Sequence, residues 1–211
     1  MSKKGIIFDL DGTLWDASHS NAPAWNVELR KHSEIDITIT AQDLQSYMGK
    51  TIEEIAKIVF PHMEEKERVS ILKKCCKEEI VALRQHGGIL FPDLKETLEE
   101  LGREYYLYIV SNCQDGYVQA FLDYHKMNEY FEDIEMAGRT GKNKAENIRL
   151  IVCRNHLDQA VYVGDTAGDY KSTKDAGLQF VYAKYGFGTV EDAEYSIDRI
   201  SDLVDVVKNI L

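Results

Sequence analysis

Short apolar runs alternate with helix-like segments over residues 88–211, and one further apolar run lies near the start of the chain at residues 5–8. Apolar runs of about four to eight residues are typical of strands that are buried on both faces of a sheet. Strands that alternate with helices form right-handed βαβ units, with the strands parallel and the helices on both faces. The alternation therefore predicts an α/β fold with a Rossmann-like, doubly wound parallel sheet.

The boundaries of these elements follow from turn residues and from the change of hydrophobic period. The predicted strands cover residues 5–8, 105–110, 131–136, 160–163 and 179–183. The predicted helices of the same region cover residues 93–101, 117–124, 144–155, 169–176 and 201–211.

The segment between the first strand and the rest of the sheet is different, because it carries helical patterns and almost no strand signal. Helices are predicted over 21–31, with Pro23 in the first turn, and from the capping residues Thr40 and Thr51 onward. A longer helix is predicted over 64–84. Its apolar stripe consists of Val69, Leu72, Cys76, Ile80 and Leu83. We therefore predict a catalytic core of residues 1–15 and 88–211, with an inserted α-helical cap of residues 16–87.

Composition excludes several classes of partner. The formal net charge of -11 argues against nucleic acid and against anionic membranes, which both favour basic surfaces. The four cysteines lack zinc-site spacing and are expected to be free thiols in a reducing compartment. No apolar run reaches the length of a signal-peptide core or a membrane span. The sequence thus predicts a cytoplasmic protein, either a monomer or a homodimer.

Polar residues follow the ends of three predicted strands. Asp9 and Asp11 follow the first strand, Ser111 follows the strand 105–110, and Asp165 follows the strand 160–163. Ligands of such sheets bind beyond the carboxyl ends of the strands, so these residues are expected to converge on one site. Each motif alone is as readily a turn or a helix cap, and the prediction depends on the ordered set.

Two carboxylates that face one small volume repel each other unless a cation lies beside them. Mg²⁺ fits this role, with Asp9, Asp165 and the backbone carbonyl of Asp11 as protein ligands. Asp9 could then attack a phosphorus atom, while Asp11 moves the proton to and from the leaving oxygen. Ser111 and the backbone N–H of Asn112 could hold phosphoryl oxygens, and a lysine near residue 144 could offset the negative charge.

The ordered set resembles a known family. It consists of Asp9-Leu10-Asp11-Gly12-Thr13, Ser111-Asn112, Lys144 and Gly164-Asp165-Thr166-Ala167-Gly168-Asp169. These motifs are similar to those of the haloacid dehalogenase superfamily of Mg²⁺-dependent phosphohydrolases. The helical insert resembles the cap of its phosphoglycolate phosphatase-like branch.

The resemblance implies a role for each motif residue. Asp9 would be the nucleophile and a Mg²⁺ ligand, and Asp11 the general acid/base and a backbone ligand. Ser111 would bind phosphate, and Lys144 would stabilise the aspartyl-phosphate. Asp165 would ligate the metal, and Asp169 would order the metal's surroundings.

The chain departs from the family pattern at the third motif. Relatives often carry Lys-Pro there, whereas this chain reads Gly141-Lys142-Asn143-Lys144-Ala145. Helix phasing favours Lys144 at the start of the helix, and Lys142 remains an alternative.

Asp11 also distinguishes this chain from two other classes of enzyme in the superfamily. Dehalogenases of the superfamily lack the second aspartate, and the phosphonate-cleaving relatives replace it and use a lysine of the cap. Lys50 also lies in the predicted cap and could correspond to that lysine, but the presence of Asp11 argues against a phosphonate-cleaving activity. Gly49 and Lys50 are therefore predicted to contact the substrate from the cap.

The sequence thus predicts a phosphatase that acts on a small phosphorylated metabolite, either phosphoglycolate-like or a sugar phosphate. Two alternatives remain open. A phosphosugar mutase of the same fold would pass the phosphoryl group to a second hydroxyl. A catalytically weak module would only bind a phosphometabolite or a protein.

Overall fold

The computed structural model describes residues 2–211 of the chain. The strands, in chain order, are β1 (Lys4–Phe8), β2 (Trp15–Asp16), β3 (Ile89–Leu90), β4 (Tyr106–Ser111), β5 (Asp133–Met136), β6 (Gln159–Gly164), β7 (Gln179–Ala183) and β8 (Tyr195–Ile197). The helices are α1 (Ser18–Leu29), α2 (Ala41–Tyr47), α3 (Ile52–Val59), α4 (Glu65–His86), α5 (Leu94–Leu101), α6 (Tyr117–His125), α7 (Ala137–Thr140), α8 (Lys144–Arg154), α9 (Ala167–Ala176) and α10 (Leu203–Val207). Two 3₁₀ turns cover Asn128–Tyr130 and Ile200–Asp202.

Six strands form one parallel sheet in the order β5-β4-β1-β6-β7-β8. The chain leaves β1 toward β4 and β5 on one side and then returns to build β6, β7 and β8 on the other. The direction of winding thus reverses at β1, and a crevice opens at such a switch point beyond the carboxyl ends of the strands. The predicted Rossmann-like α/β fold is confirmed.

The central strands are apolar along their whole length because both faces of the sheet are covered. Ile6 and Phe8 of β1 point into one hydrophobic cluster, together with residues of α5, α6 and α10. Ile7, between them, points into the opposite cluster, which contains residues of α8 and α9. Alternation along a strand sends neighbouring side chains to opposite faces, so a continuous apolar run serves both clusters.

The helices α1 to α4 pack on one another around a hydrophobic cluster of their own. Its buried members are Ala22, Trp25, Leu29, Ile39, Leu44, Ala56, Val59, Phe60, Ile71, Leu72, Cys75 and Cys76. The chain enters and leaves this helical unit through β2 and β3, which pair antiparallel. The proposed division at residues 15 and 88 falls on these two short strands.

Several predicted helices differ from the observed ones. Helix α1 begins at Ser18, three residues before the predicted start, because the Asp16 carboxylate accepts the backbone N–H of Ser18 at 2.8 Å. Pro23 therefore lies inside the helix and not in its first turn. Because proline has no backbone N–H, the helix lacks one backbone hydrogen bond at this position. At the end of the chain, α10 covers only part of the predicted helix 201–211.

The capping motifs of the cap were predicted correctly. Thr40 and Thr51 each accept the backbone N–H three residues on, and Asp43 and Glu54 complete the two capping boxes. The buried stripe of α4 was predicted only in part. Val69 and Ile80 are half-buried, whereas Ile71, Cys75 and Glu79 are buried.

Within residues 2–211, no helix combines the length and the apolar character that crossing a membrane requires.

Candidate active site

The structure brings the predicted strand-end residues together at the carboxyl edge of the sheet. Asp9 follows β1, and its backbone N–H donates to the Val163 carbonyl of β6 at 2.8 Å. Ser111 is the last residue of β4, and Asp165 follows β6 directly. All three side chains are buried. They converge because β4, β1 and β6 are neighbours in the sheet.

Lys144 is the cation of this site. Its Nζ donates to Asp9 Oδ1 at 2.9 Å and also to Asp169 Oδ1, and its side chain is only 2% exposed. Lys144 occupies this place because it is the first residue of α8, whose N-cap is Asn143. Lys142 is exposed. The geometry therefore favours Lys144 over Lys142 as the lysine of the third motif.

Asp169 joins the end of a helix to the site. Its Oδ2 accepts the hydroxyl of Thr166 at 2.6 Å and the Thr166 backbone N–H at 3.0 Å, which forms the capping box of α9. Its other oxygen faces Lys144. Both carboxylate oxygens of Asp169 thus have partners within the protein.

Asp11 is held by aromatic side chains. Its Oδ1 accepts the indole N–H of Trp15 at 3.0 Å and the hydroxyl of Tyr117 at 2.8 Å. Burial and the nearby charge of Asp9 raise the pKa of Asp11 to about 8, against the opposing effect of the Tyr117 hydrogen bond. The carboxyl group of Asp11 is therefore largely protonated at neutral pH and has a proton to give.

Asp9 and Asp165 also have raised pKa values. Burial and the charge of Asp169 raise the pKa of Asp9 to about 6, although Lys144 opposes the shift. Burial and the charges of Asp169 and Asp9 raise the pKa of Asp165 well above its usual range. Across residues 2–211, Lys144 is the one basic side chain that forms a salt bridge with these carboxylates. The cluster therefore carries more negative charge than the protein itself neutralises.

One group of oxygen atoms fits a metal ion. Carboxylate oxygens of Asp9, Asp165 and Asp169 lie within 4.8 Å of one another. Asp165 Oδ2 accepts the Phe187 backbone N–H at 2.8 Å, whereas its buried Oδ1 has no hydrogen-bond partner in the described part of the chain. A buried carboxylate oxygen without a donor is costly, and a divalent cation is the kind of ligand that satisfies it.

Gly12 is needed for the close approach of the first motif to Asp165. Its φ of 80° lies in the left-handed region, and a Cβ at this position would stand 2.2 Å from Asp165 Oδ2. A side chain at residue 12 would therefore displace the carboxylate that is the best candidate for a metal ligand.

The cap closes over this edge of the sheet. Asn112 Nδ2, beside Ser111, donates to the Gly49 carbonyl of the cap at 2.8 Å. Gly49 and Lys50 line the cavity above Asp9 and Asp11 with Ser111 and Asn112. Lys50 Nζ donates to the Ser46 carbonyl at 2.7 Å, so its ammonium group lies at the end of α2. The cavity contains about 620 Å³ of space, its open mouth included.

Sequence reasoning missed four residues of the site. Trp15 and Tyr117 fix Asp11, Phe187 fixes Asp165 through its backbone, and Glu79 lies buried in the wall of the cavity. Only Glu79 left a usable signal. It lies three residues after Cys76 and four before Leu83, on the apolar stripe of its helix.

Comparisons with known proteins agree with this geometry. The family model described as "Haloacid dehalogenase-like hydrolase" matches residues 6–183. The phosphoglycolate phosphatase of Aquifex aeolicus is 26% identical over 97% of this chain and 96% of its own length. A haloacid dehalogenase-like hydrolase structure from Bacteroides fragilis is 23% identical, with a TM-score of 0.83 over 96% of this chain and all of that one.

A further solved structure, with a TM-score of 0.79 and 18% identity over 96% of each chain, is a mutant of CbbY from Rhodobacter sphaeroides in complex with xylulose-(1,5)bisphosphate. At this identity it supports the fold alone. The match to the family model spans most of the chain and confirms the predicted enzyme class, a phosphatase. The chain belongs to the haloacid dehalogenase-like hydrolase family.

Proposed function

We propose that this protein is a Mg²⁺-dependent phosphatase that hydrolyses a small phosphorylated metabolite through an aspartyl-phosphate on Asp9. The main supporting observation is the contrast between two buried carboxyl groups. Asp9 is held by the ammonium group of Lys144, whereas Asp11 has a pKa of about 8 and keeps its proton. The name of the curated relative points to a phosphoglycolate-like substrate, and a sugar phosphate stays the other substrate class that the sequence predicts.

In the first step, a carboxylate oxygen of Asp9 attacks the phosphorus atom, and the ester bond to the leaving oxygen breaks. Asp11 gives its proton to that oxygen, so the leaving group departs as a neutral alcohol. Water then attacks the phosphorus of the aspartyl-phosphate and passes a proton back to Asp11. The bond between Asp9 and phosphorus breaks, and inorganic phosphate leaves.

The carboxylates fit Mg²⁺, which prefers a few carboxylates and completes its shell with water and substrate oxygens. Asp9, Asp165 and the backbone carbonyl of Asp11 would hold it, and Asp165 Oδ1 is the buried oxygen that still needs a partner. When bound, the ion would offset negative charge on the carboxylates and on the phosphoryl oxygens. Asp169 would act indirectly, because its two oxygens already bind Lys144 and Thr166.

Phosphate binding would come from both sides of the cavity. Ser111 and the backbone N–H of Asn112 would hold phosphoryl oxygens at the end of β4. Gly49 and Lys50 would contact the substrate from the cap, and the hydrogen bond between Asn112 and Gly49 couples the two sides. Closing such a site excludes water and strengthens these electrostatic contacts.

The net charge of -11 supports an enzyme that acts on small molecules and does not bind nucleic acid or anionic membranes. The four cysteines, which are all free, support a reducing compartment such as the cytoplasm. We expect the enzyme to be a monomer or a homodimer, as the sequence predicts.

Asp9→Asn tests the mechanism, because an amide oxygen is a far weaker nucleophile than a carboxylate. We expect phosphate release from p-nitrophenyl phosphate with Mg²⁺ to fall to the uncatalysed rate, and EDTA to inhibit the wild-type enzyme reversibly. The matched control is Asp36→Asn, which changes an exposed aspartate of the cap and should leave turnover unchanged. Substantial turnover by Asp9→Asn would refute the proposal.

The mutase alternative predicts a different product. With sugar phosphates as substrates, a mutase would give an isomerised phosphosugar, whereas a phosphatase gives inorganic phosphate and the free sugar. Phosphorus NMR of the reaction mixture separates the two. Absence of turnover across a broad panel of phosphate esters would instead favour the binding module.

A further inference from the structure

Glu79 of α4 is a buried carboxyl group that the proposed mechanism does not use. It is 6% exposed and lines the cavity together with Asp9 and Asp11. Gln114 Nε2 donates to Glu79 Oε2 at 2.6 Å, which joins the cap to the core. Within residues 2–211, no lysine, arginine or histidine forms a salt bridge with Glu79. A buried carboxylate without a cation destabilises a fold, so its presence in a ligand cavity calls for a functional reason.

Polar side chains face Glu79 from one side, and the cap side of the cavity is apolar. Besides Gln114, Trp25 (3% exposed) and Asn21 face Glu79 as hydrogen-bond donors and lower its pKa against the effect of burial. The apolar lining of the cap side consists of Leu44, Met48, Ile52, Ile55 and Leu72. This half of the cavity therefore offers one carboxylate that accepts hydrogen bonds, beside a wall that is mostly apolar.

Lys50 is the opposing charge of the cavity. Its ammonium group donates to the Ser46 carbonyl in the exposed last turn of α2, where solvent screens it. Glu79 lies in a less screened environment, and burial raises its pKa to about 7. At pH 8 the carboxylate is mostly ionised and acts on a bound leaving group through a low dielectric.

We propose that Glu79 selects the leaving group, so that the enzyme prefers phosphate esters of uncharged, hydroxyl-bearing alcohols and disfavours esters whose leaving group carries a carboxylate. This inference rests on the proposed phosphatase function. A hydroxyl group of the leaving group can donate a hydrogen bond to the Glu79 carboxylate. A carboxylate on the leaving group, such as that of phosphoglycolate, can only accept and is repelled by Glu79.

The experiment uses two pairs of esters that differ in one group. The first pair is 2-hydroxyethyl phosphate and 2-phosphoglycolate, and the second is glycerol 3-phosphate and 3-phosphoglycerate. At pH 8 with Mg²⁺, we expect kcat/KM to favour the hydroxyl ester of each pair by roughly tenfold or more. Glu79→Gln keeps the size of the side chain and an acceptor for Gln114 but removes the charge. It should lower KM for the carboxylate esters and thereby reduce the ratio of kcat/KM within each pair at least several-fold.

Glu78→Gln is the matched control. It makes the same chemical change one residue away, on the side of α4 that pairs with the exposed Lys31. We expect its ratios to equal those of the wild type. If Glu79→Gln does not fold, the wild-type ratios alone decide.

Two outcomes overturn the inference. One is a wild-type preference for the carboxylate esters, which would mean that Lys50 dominates. The other is a folded Glu79→Gln enzyme with unchanged ratios. In both cases phosphate is still released, so the phosphatase proposal survives. Absence of release from all four esters and from p-nitrophenyl phosphate would overturn the proposed function and this inference together.

Discussion

Lys144 is the residue on which the electrostatics of the site depend. Its ammonium group binds Asp9 and Asp169, and their charges hold the pKa of Lys144 well above its usual range despite the burial. The ion is therefore permanently charged under physiological conditions. It stabilises two carboxylates that would otherwise repel each other, and it keeps Asp9 ionised for attack.

Replacing Lys144 with Gln should remove activity and stability together. We expect kcat to fall by about 10²–10³-fold, as for the loss of one preorganised charge donor, and the free energy of unfolding to fall by roughly 3 kcal/mol. Phosphate release and urea denaturation are the measurements. Lys142→Gln is the control, because that side chain is exposed and should change neither quantity. Loss of activity in Lys142→Gln, with activity retained in Lys144→Gln, would show that the third motif uses Lys142 and not the lysine in contact with Asp9.

At the scale of elements, helix termini place the reactive groups. Lys144 is the first residue of α8, and Asp169 belongs to the capping box of α9, so the two helix starts face each other across the site. The first turn of a helix is among its best-defined parts when it is capped, because the side-chain cap satisfies its free N–H groups. Capping here also restrains Asp169, the residue that orients Lys144.

Thr166→Val tests this coupling between capping and catalysis. The substitution keeps the shape but removes the hydroxyl that donates to Asp169 Oδ2 and accepts its backbone N–H. We expect a loss of about 1 kcal/mol in the free energy of unfolding and a several-fold decrease in kcat. Thr40→Val is the control, because it removes an equivalent capping box from the start of α2, where Thr40 is exposed and does not line the cavity. It should cost similar stability and leave kcat unchanged; an equal decrease of kcat in both variants would argue against the coupling.

The sequence predicts those elements whose physical cause is local. Apolar runs predicted five of the six strands of the main sheet. A strand that is buried on both faces is apolar at nearly every position, so it can be recognised from its own residues alone. The capping boxes at Thr40 and Thr51 were equally clear, since all their contacts lie within four residues. By contrast, β2 and β3 have two residues each and no period, and they exist because the two ends of the cap meet.

The same limit applies to the site. Asp9, Ser111 and Asp165 could be placed together because each follows a predicted strand, whereas helix phasing favoured Lys144 but left Lys142 open. The contact of Asp165 with the Phe187 N–H could not, because it joins loops that follow different strands and involves only a backbone group. The burial of Glu79 also depends on how the cap packs against Gln114 of the core, which no local pattern encodes.

At the scale of the whole molecule, the acidic cluster makes folding stability depend on a cation. The three carboxylates of Asp9, Asp165 and Asp169 are buried at the centre of the sheet edge, and Lys144 offsets only part of their charge. The raised pKa values of Asp9 and Asp165 mean that ionisation of these two groups at neutral pH costs folding free energy. A ligand that binds the folded state and not the unfolded chain recovers that cost.

We therefore expect Mg²⁺ to raise the melting temperature of the wild-type protein at pH 7.5. A concentration of about 100 times Kd supplies roughly 2.7 kcal/mol, which corresponds to roughly 5 to 10 °C for a chain of this length. Asp165→Asn should melt at a higher temperature than the wild type without metal, because one buried charge is gone, and should lose most of the Mg²⁺ shift. Asp175→Asn, which changes an exposed aspartate of α9 paired with Lys171, should retain the full shift. Differential scanning calorimetry with and without Mg²⁺ measures both effects independently of turnover, and an undiminished shift in Asp165→Asn would remove Asp165 from the proposed ligands.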